Sequence, residues 1–273
     1  MIAAILPLIY LAALAGAEAV TALVGPVWGI IFHFVILFLL IVSSSAGGEH
    51  GIRLYLLRWR SQSIILRDPY AVDQGHSHRL FLALGLAPLI RIVSLAMPLT
   101  EFSQIYWYLI ISVPLLAGIF AVIVTLDLHP REIGLTAGAL PIQGLIALTG
   151  IGFGLVEYLI LRPEPLILAL RWQEVIVPAL ILLVATGFVE ELAFRGVMQR
   201  SAQVLGSWGW IYIAVVFSVL QIGHLSALHW LFVLAVSLFF GWIVKRTGSI
   251  LGVSLSHGLI NVCLFLIFPF VIS

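Results

Sequence analysis

The chain has 273 residues, 62% of them hydrophobic and 9% charged, with a mean hydropathy of +1.19. Soluble domains carry roughly 45–50% apolar and about 25% charged residues, so a soluble domain is excluded. Thirteen Lys and Arg against twelve Asp and Glu leave a formal charge of +1, which gives no basic surface for nucleic acid, and the single cysteine permits no intrachain disulfide.

A membrane-crossing helix needs about 20 mainly apolar residues. In chain order, such stretches run near 2–24, 27–43, 80–98, 105–126, 142–161, 175–194, 208–224, 226–244 and 250–271. The expected fold is all-α, a polytopic membrane bundle of about eight or nine transmembrane helices. The first stretch has no basic residues ahead of it and another span directly behind it, so it reads as an anchor, not a cleaved leader. Two regions stand apart. Residues 1–170 hold spans with few ionisable groups and one long basic loop, whereas residues 171–273 hold a denser set of polar residues at membrane depth.

Basic residues orient the chain. With the amino terminus cytoplasmic, Arg53, Arg58, Arg60, Arg67, Arg79, Arg131, Arg195, Arg200, Lys245 and Arg246 lie inside, Arg162 and Arg171 lie outside, and Arg91 sits within a span. That asymmetry favours a multi-pass protein of the cell membrane with a cytoplasmic amino terminus. The arginines of 53–67 are expected to face anionic lipid. Arg91 is expected to pair with Glu18 or Glu157, acidic residues inside other spans. His76 and His78, two apart in the basic loop, make a weak metal motif, and Cys263 reads as a small buried apolar residue.

Ionisable groups inside a bilayer are costly and point to function. The densest set is Glu190-Glu191-x-x-x-Arg195. Glu191 and Arg195 are four apart on one helix face and can pair, while Glu190 points about 100° away and has no structural use. His224 ends the next span. Glu190 and His224 each stand seventeen residues from Ser207, so antiparallel helices leaving that turn bring them to one depth. His257 and Asn261 share a face of the last span, eight and twelve residues past Ser249. The four are expected to converge in one cavity, opening to the cytoplasmic side. A carboxylate and a histidine can deprotonate and orient a water. A second histidine and an amide can donate hydrogen bonds to an oxyanion. Together these are the parts for hydrolysing an amide without a covalent intermediate, and no GxSxG or HExxH signature offers another scheme.

These motifs, in this order on successive membrane segments, resemble the CAAX protease and bacteriocin-processing (CPBP) family, intramembrane endopeptidases related to the type II CAAX prenyl endopeptidase. The flanks agree: Phe194-Arg195-Gly196 follows the glutamates, and Arg246-Thr247-Gly248-Ser249 precedes the last motif. The resemblance covers about residues 175–267. It implies that Glu190 with His224 activates the attacking water, that His257 with Asn261 stabilises the oxyanion, and that Glu191 and Arg195 support them. One position departs: Leu220 stands where the family's middle motif carries Phe. The family is described both as metal-dependent and as glutamate-dependent; Glu190, His224 and His257 are the candidate Zn²⁺ ligands, leaving one position for water. The implied partners are the bilayer and a peptide or membrane-protein substrate. The competing readings are a non-catalytic scaffold or immunity factor of the same fold, and a proton-coupled transporter, against which stands the lack of an inverted repeat.

Overall fold

The computed structural model describes residues 2–45, 75–97 and 101–272. Arg53, Arg58, Arg60, Arg67 and the His76 side chain lie outside the described residues. The described residues are 83% helical, with no strand among them. Among the described residues, eight helical segments are long and apolar enough to cross a membrane. One of them, Trp172–His224, has 53 residues. At 1.5 Å per residue it would extend about 80 Å, more than twice a hydrocarbon core of about 30 Å. It is folded in two at Gly206, whose φ of 67° and ψ of −140° no helix accommodates. The expected spans near 175–194 and 208–224 are the two legs of this hairpin.

We label the helices in chain order: α1 (Ile2–Leu23), α2 (Pro26–Ser45), α3 (Gly75–Leu84), α4 (Leu86–Ala96), α5 (Gln104–Thr125), α6 (Leu140–Leu161) and α7 (Trp172–Ile181). Beyond α7 the helix continues through two π-helical stretches, Leu182–Phe188 and Leu192–Met198, on either side of the α-helical Val189–Glu191. Next come α8 (Gly209–Val219), α9 (Ala227–Thr247) and α10 (Leu251–Val262), which runs through a π turn into α11 (Phe268–Val271).

Helix α10 is central, packed against α6 on one side and against the 182–188 stretch on the other. Backbone meets backbone there. A β-carbon on Gly258 would lie 2.7 Å from the Leu183 α-carbon, and one on Gly187 would lie 2.5 Å from the Ser254 carbonyl oxygen. A β-carbon on Gly150 of α6 would stand 2.2 Å from the Ser256 carbonyl oxygen. In a bilayer, where apolar side chains gain nothing by leaving lipid for each other, such small-residue contacts are what bring helices together. The outward faces are apolar and exposed, as with Leu8, Phe34 and Phe120, which suits contact with acyl chains.

Hydrogen bonds tie the helix ends into two opposite rims. At the rim holding the chain start and the basic turns, Tyr212 donates to the Pro7 carbonyl (2.9 Å), Ser249 Oγ to the Thr136 carbonyl (2.7 Å) and Arg200 Nη2 to Glu132 Oε1 (2.6 Å). At the other rim, Tyr158 donates to the Ile272 carbonyl (3.0 Å) and the Leu166 N–H to the Phe265 carbonyl (3.1 Å). Arg79, Arg131, Arg200, Lys245 and Arg246 belong to the first rim; Arg162 and Arg171 belong to the second. Arg195, counted with the inner residues from sequence, is instead buried in the bundle beside Glu191, so among the described residues the rims carry five basic residues against two. A cysteine introduced for Gln203 is expected to react with a membrane-impermeant maleimide only from the cytoplasmic side, and one for Leu225 only from the opposite side. Labelling of sealed vesicles of known orientation checks it, and labelling in the reverse sense would invert the topology.

Candidate active site

Glu190 and Glu191 sit on the short α-helical piece between the two π stretches. A π turn inserts an extra residue into the helix and re-aims the side chains around it. Glu191 points inward and is fully buried. Its Oε1 accepts from Arg195 Nη1 at 2.9 Å and lies 2.8 Å from His257 Nδ1. The guanidinium opposite requires a carboxylate at Glu191, so His257 Nδ1 carries the proton and donates it. That leaves Nε2 directed into the cavity, where it stands 3.9 Å from Glu190 Oε2. Arg195 Nη2 donates to Ser237 Oγ at 2.8 Å, and that hydroxyl donates to the Ala214 carbonyl at 3.1 Å. The guanidinium also lies over the Phe217 ring at 4.6 Å.

Glu190, unlike Glu191, faces open space, with its side chain 30% exposed. The cavity it faces has a volume of about 240 Å³, and His224, His257 and Asn261 also line it. All four expected residues therefore meet in one place. They are not joined as one network. Asn261 Nδ2 donates to Thr186 Oγ1 at 2.8 Å, and Thr186 in turn donates to the Leu182 carbonyl at 2.5 Å. His224 approaches from the facing wall, its ring centroid 4.7 Å from that of His229. His229 Nε2 lies 3.0 Å from Glu157 Oε1, and both residues line the cavity. Three lining residues, Thr186, His229 and Glu157, were not assigned to the site from sequence. Glu157 stood out as an acidic residue in a span, but its partner is 72 residues away and no local spacing announces it.

Arg91 takes the first of its two expected partners. Its Nε donates to Glu18 Oε1 at 2.5 Å, and His33 Nε2 lies 3.2 Å from the same oxygen.

The three candidate metal ligands are not gathered as a set. No group of three or more His, Cys, Asp or Glu side chains suited to a metal occurs among the described residues. His257 keeps Nε2 open to the cavity, as a ligand whose Nδ1–H is held by a carboxylate does, but His224 packs its ring against His229. The donor set as placed does not fit a zinc site, and no step below is routed through a metal.

The cavity also has a direction. Towards the basic rim it is floored by Arg195 and Phe240, both buried. Behind that floor a separate hollow of about 220 Å³ is lined by Arg131, Arg200 and Lys245. Towards the other rim it is lined by Tyr108, Leu161, Glu157 and the exposed His224, all near helix ends on that side. A cytoplasmic amino terminus and a cytoplasmic opening therefore exclude one another. Counting from Ser207 puts Glu190 and His224 roughly 25 Å along their helices, and counting from Ser249 puts His257 and Asn261 roughly 12 and 18 Å along theirs; neither count says from which side the site opens.

Residues 172–263 match the family described as type II CAAX prenyl endopeptidase Rce1-like. This is the segment that carries every motif named above, and the family indicates an enzyme of the intramembrane endopeptidase kind. Comparison with curated proteins and with solved structures gives no match. Removing one member of a buried ion pair strands the other, at a cost of about 3–5 kcal/mol. Arg195→Met is therefore expected to lower stability by that amount through the stranded Glu191, and to lower the unfolding temperature in detergent.

Proposed function

We propose that the chain is an intramembrane endopeptidase in which Glu190 activates water, His224 helps to orient it, and His257 with Asn261 receives the oxyanion. The observation that supports this most is the division of labour between adjacent glutamates. Glu191 is buried and its Oε1 is bonded to both Arg195 and His257, whereas Glu190 makes no such bonds and faces the cavity beside His257. A structural role accounts for the first and not for the second.

In this reading Glu190 accepts a proton from a water held between it and His224. The water oxygen forms a bond to the scissile carbonyl carbon, and the carbonyl π electrons move to oxygen. That oxyanion accepts hydrogen bonds from the Asn261 amide and from His257 Nε2. Donation from Nε2 requires the imidazolium form of His257, whose charge faces Glu191 and Glu190. As the intermediate collapses, the carbon–nitrogen bond breaks and the proton held by Glu190 passes to the departing amine. A carboxylic acid, which then gives up its proton to solvent, and an amine are the products, and no bond to the protein forms. The Glu191–Arg195 pair keeps the helix and the His257 ring in place. The substrate is a peptide or membrane protein entering from the bilayer, and residues 171–273 carry the chemistry.

The positive-inside preference puts the basic rim in the cytoplasm, so the cavity opens to the other face. Glu190→Gln, which keeps shape but loses the base, is expected to reduce peptide cleavage by about 10²–10⁴-fold while the unfolding temperature stays near that of the parent. Cleavage by purified protein in detergent checks it. Full cleavage by the variant would remove Glu190 as the base, and no cleavage by the parent would favour a binding protein over an enzyme.

A further inference from the structure

His224 lies on a turn whose backbone is held locally, by the His224 N–H to the Gln221 carbonyl (3.2 Å) and the Leu225 N–H to the Ile222 carbonyl (2.9 Å), bonds that leave its ring unfixed. The turn is Ile222–His224, followed by Leu225 with φ of 52° and ψ of 24°. A leucine keeps that left-handed conformation only where its surroundings over-determine it. Immediately after the turn, Ser226 Oγ accepts from the His229 N–H at 3.3 Å and caps α9. The cap fixes the start of α9 but does not reach the His224 ring.

Two contacts from outside residues 172–263 do reach the turn. On the cavity side, Glu157 of α6 holds the buried His229 at 3.0 Å, and the His229 ring meets the His224 ring edge-to-face at 4.7 Å. On the far side, the Arg91–Glu18 pair of α4 and α1 lies against Gly223. A β-carbon built on Gly223 would stand 3.8 Å from Arg91 Nη2 and 4.0 Å from Glu18 Oε2. Glu18 is fully buried, its Oε2 has no hydrogen-bond partner, and His33, also fully buried, sits 3.2 Å from its Oε1. Ionisable groups this deep in an apolar bundle are costly, and here they converge on the segment that carries His224.

We propose that Glu157, through His229, and the Glu18–Arg91 pair, through Gly223, are positioning residues that clamp the His224 turn from two sides. The amino-terminal helices thereby complete the active site instead of merely anchoring it. Glu157 fixes the His229 ring, which limits the rotation of His224 away from Glu190. Arg91 and Glu18 close the space into which the turn would otherwise retreat. The consequence for turnover rests on the endopeptidase reading; the clamp itself does not.

The test uses the purified full-length protein in detergent with two variants. Glu157→Gln removes the carboxylate behind His229. The double variant Glu18→Leu/Arg91→Met removes both charges together, so that neither is left buried and unpaired. Each is expected to lower kcat by on the order of 100-fold, as displacement of a reacting group by about 1 Å does, with KM little changed. Deuterium uptake is expected to rise at residues 222–226 and to stay unchanged at 190–200. Uptake at 222–226 equal to that of the parent in both variants would overturn the clamp. So would a loss of kcat no greater than the loss of folded protein. If the parent itself cleaves no peptide, the endopeptidase reading falls, and the uptake comparison still decides the clamp.

Discussion

One carboxylate oxygen organises this protein. Oε1 of Glu191 takes hydrogen bonds from Arg195 at 2.9 Å and from His257 at 2.8 Å, in a setting with no solvent exposure. Through His257 it joins the 172–201 helix to α10; through Arg195 and Ser237 it reaches α9, and through the Ser237 hydroxyl it reaches α8. Burying such charges is unfavourable unless each is satisfied, so the four helices are constrained to the arrangement that satisfies them. The interlocked glycines at 187 and 258 make that arrangement sterically available. Glu190 is then left as the carboxylate with nothing to hold, at the edge of a cavity.

Much of this was legible in the residues. The apolar runs gave the all-α bundle, because in lipid the backbone must satisfy itself and helices do so locally. The Glu191–Arg195 pair and the shared face of His257 and Asn261 followed from a spacing of four. The hydrogen bond from His257 to Glu191 did not, because it depends on the rotation of one helix against another and on π turns that simple periodicity overlooks. Glu157 and His229 were hidden for a similar reason. A lone acid and a lone histidine in separate spans acquire meaning only when tertiary packing places them 3.0 Å apart. The expected cytoplasmic amino terminus and cytoplasmic opening do not go together, since counting from a turn fixes distance along a helix and says nothing about which end is plugged by Arg195 and Phe240.

The polar residues also divide by the work they do. Basic residues gather at one rim, where they orient the chain in the membrane. Glu18, Arg91 and Glu157, scattered along helices with no recognisable motif, reach the same neighbourhood as the motif residues of 172–263. On the proposed reading, the motif-bearing segment supplies the reacting groups, and the less distinctive helices supply the walls that hold them.

The central claim is that water, activated by Glu190, attacks the peptide directly. Intact-mass measurement of the purified protein, acid-quenched during a single turnover of a cleavable peptide, tests it most directly. The account predicts cleaved peptide alongside a protein of unchanged mass at every time point. A transient species heavier by the acyl half of the peptide would mean a covalent intermediate and would contradict it.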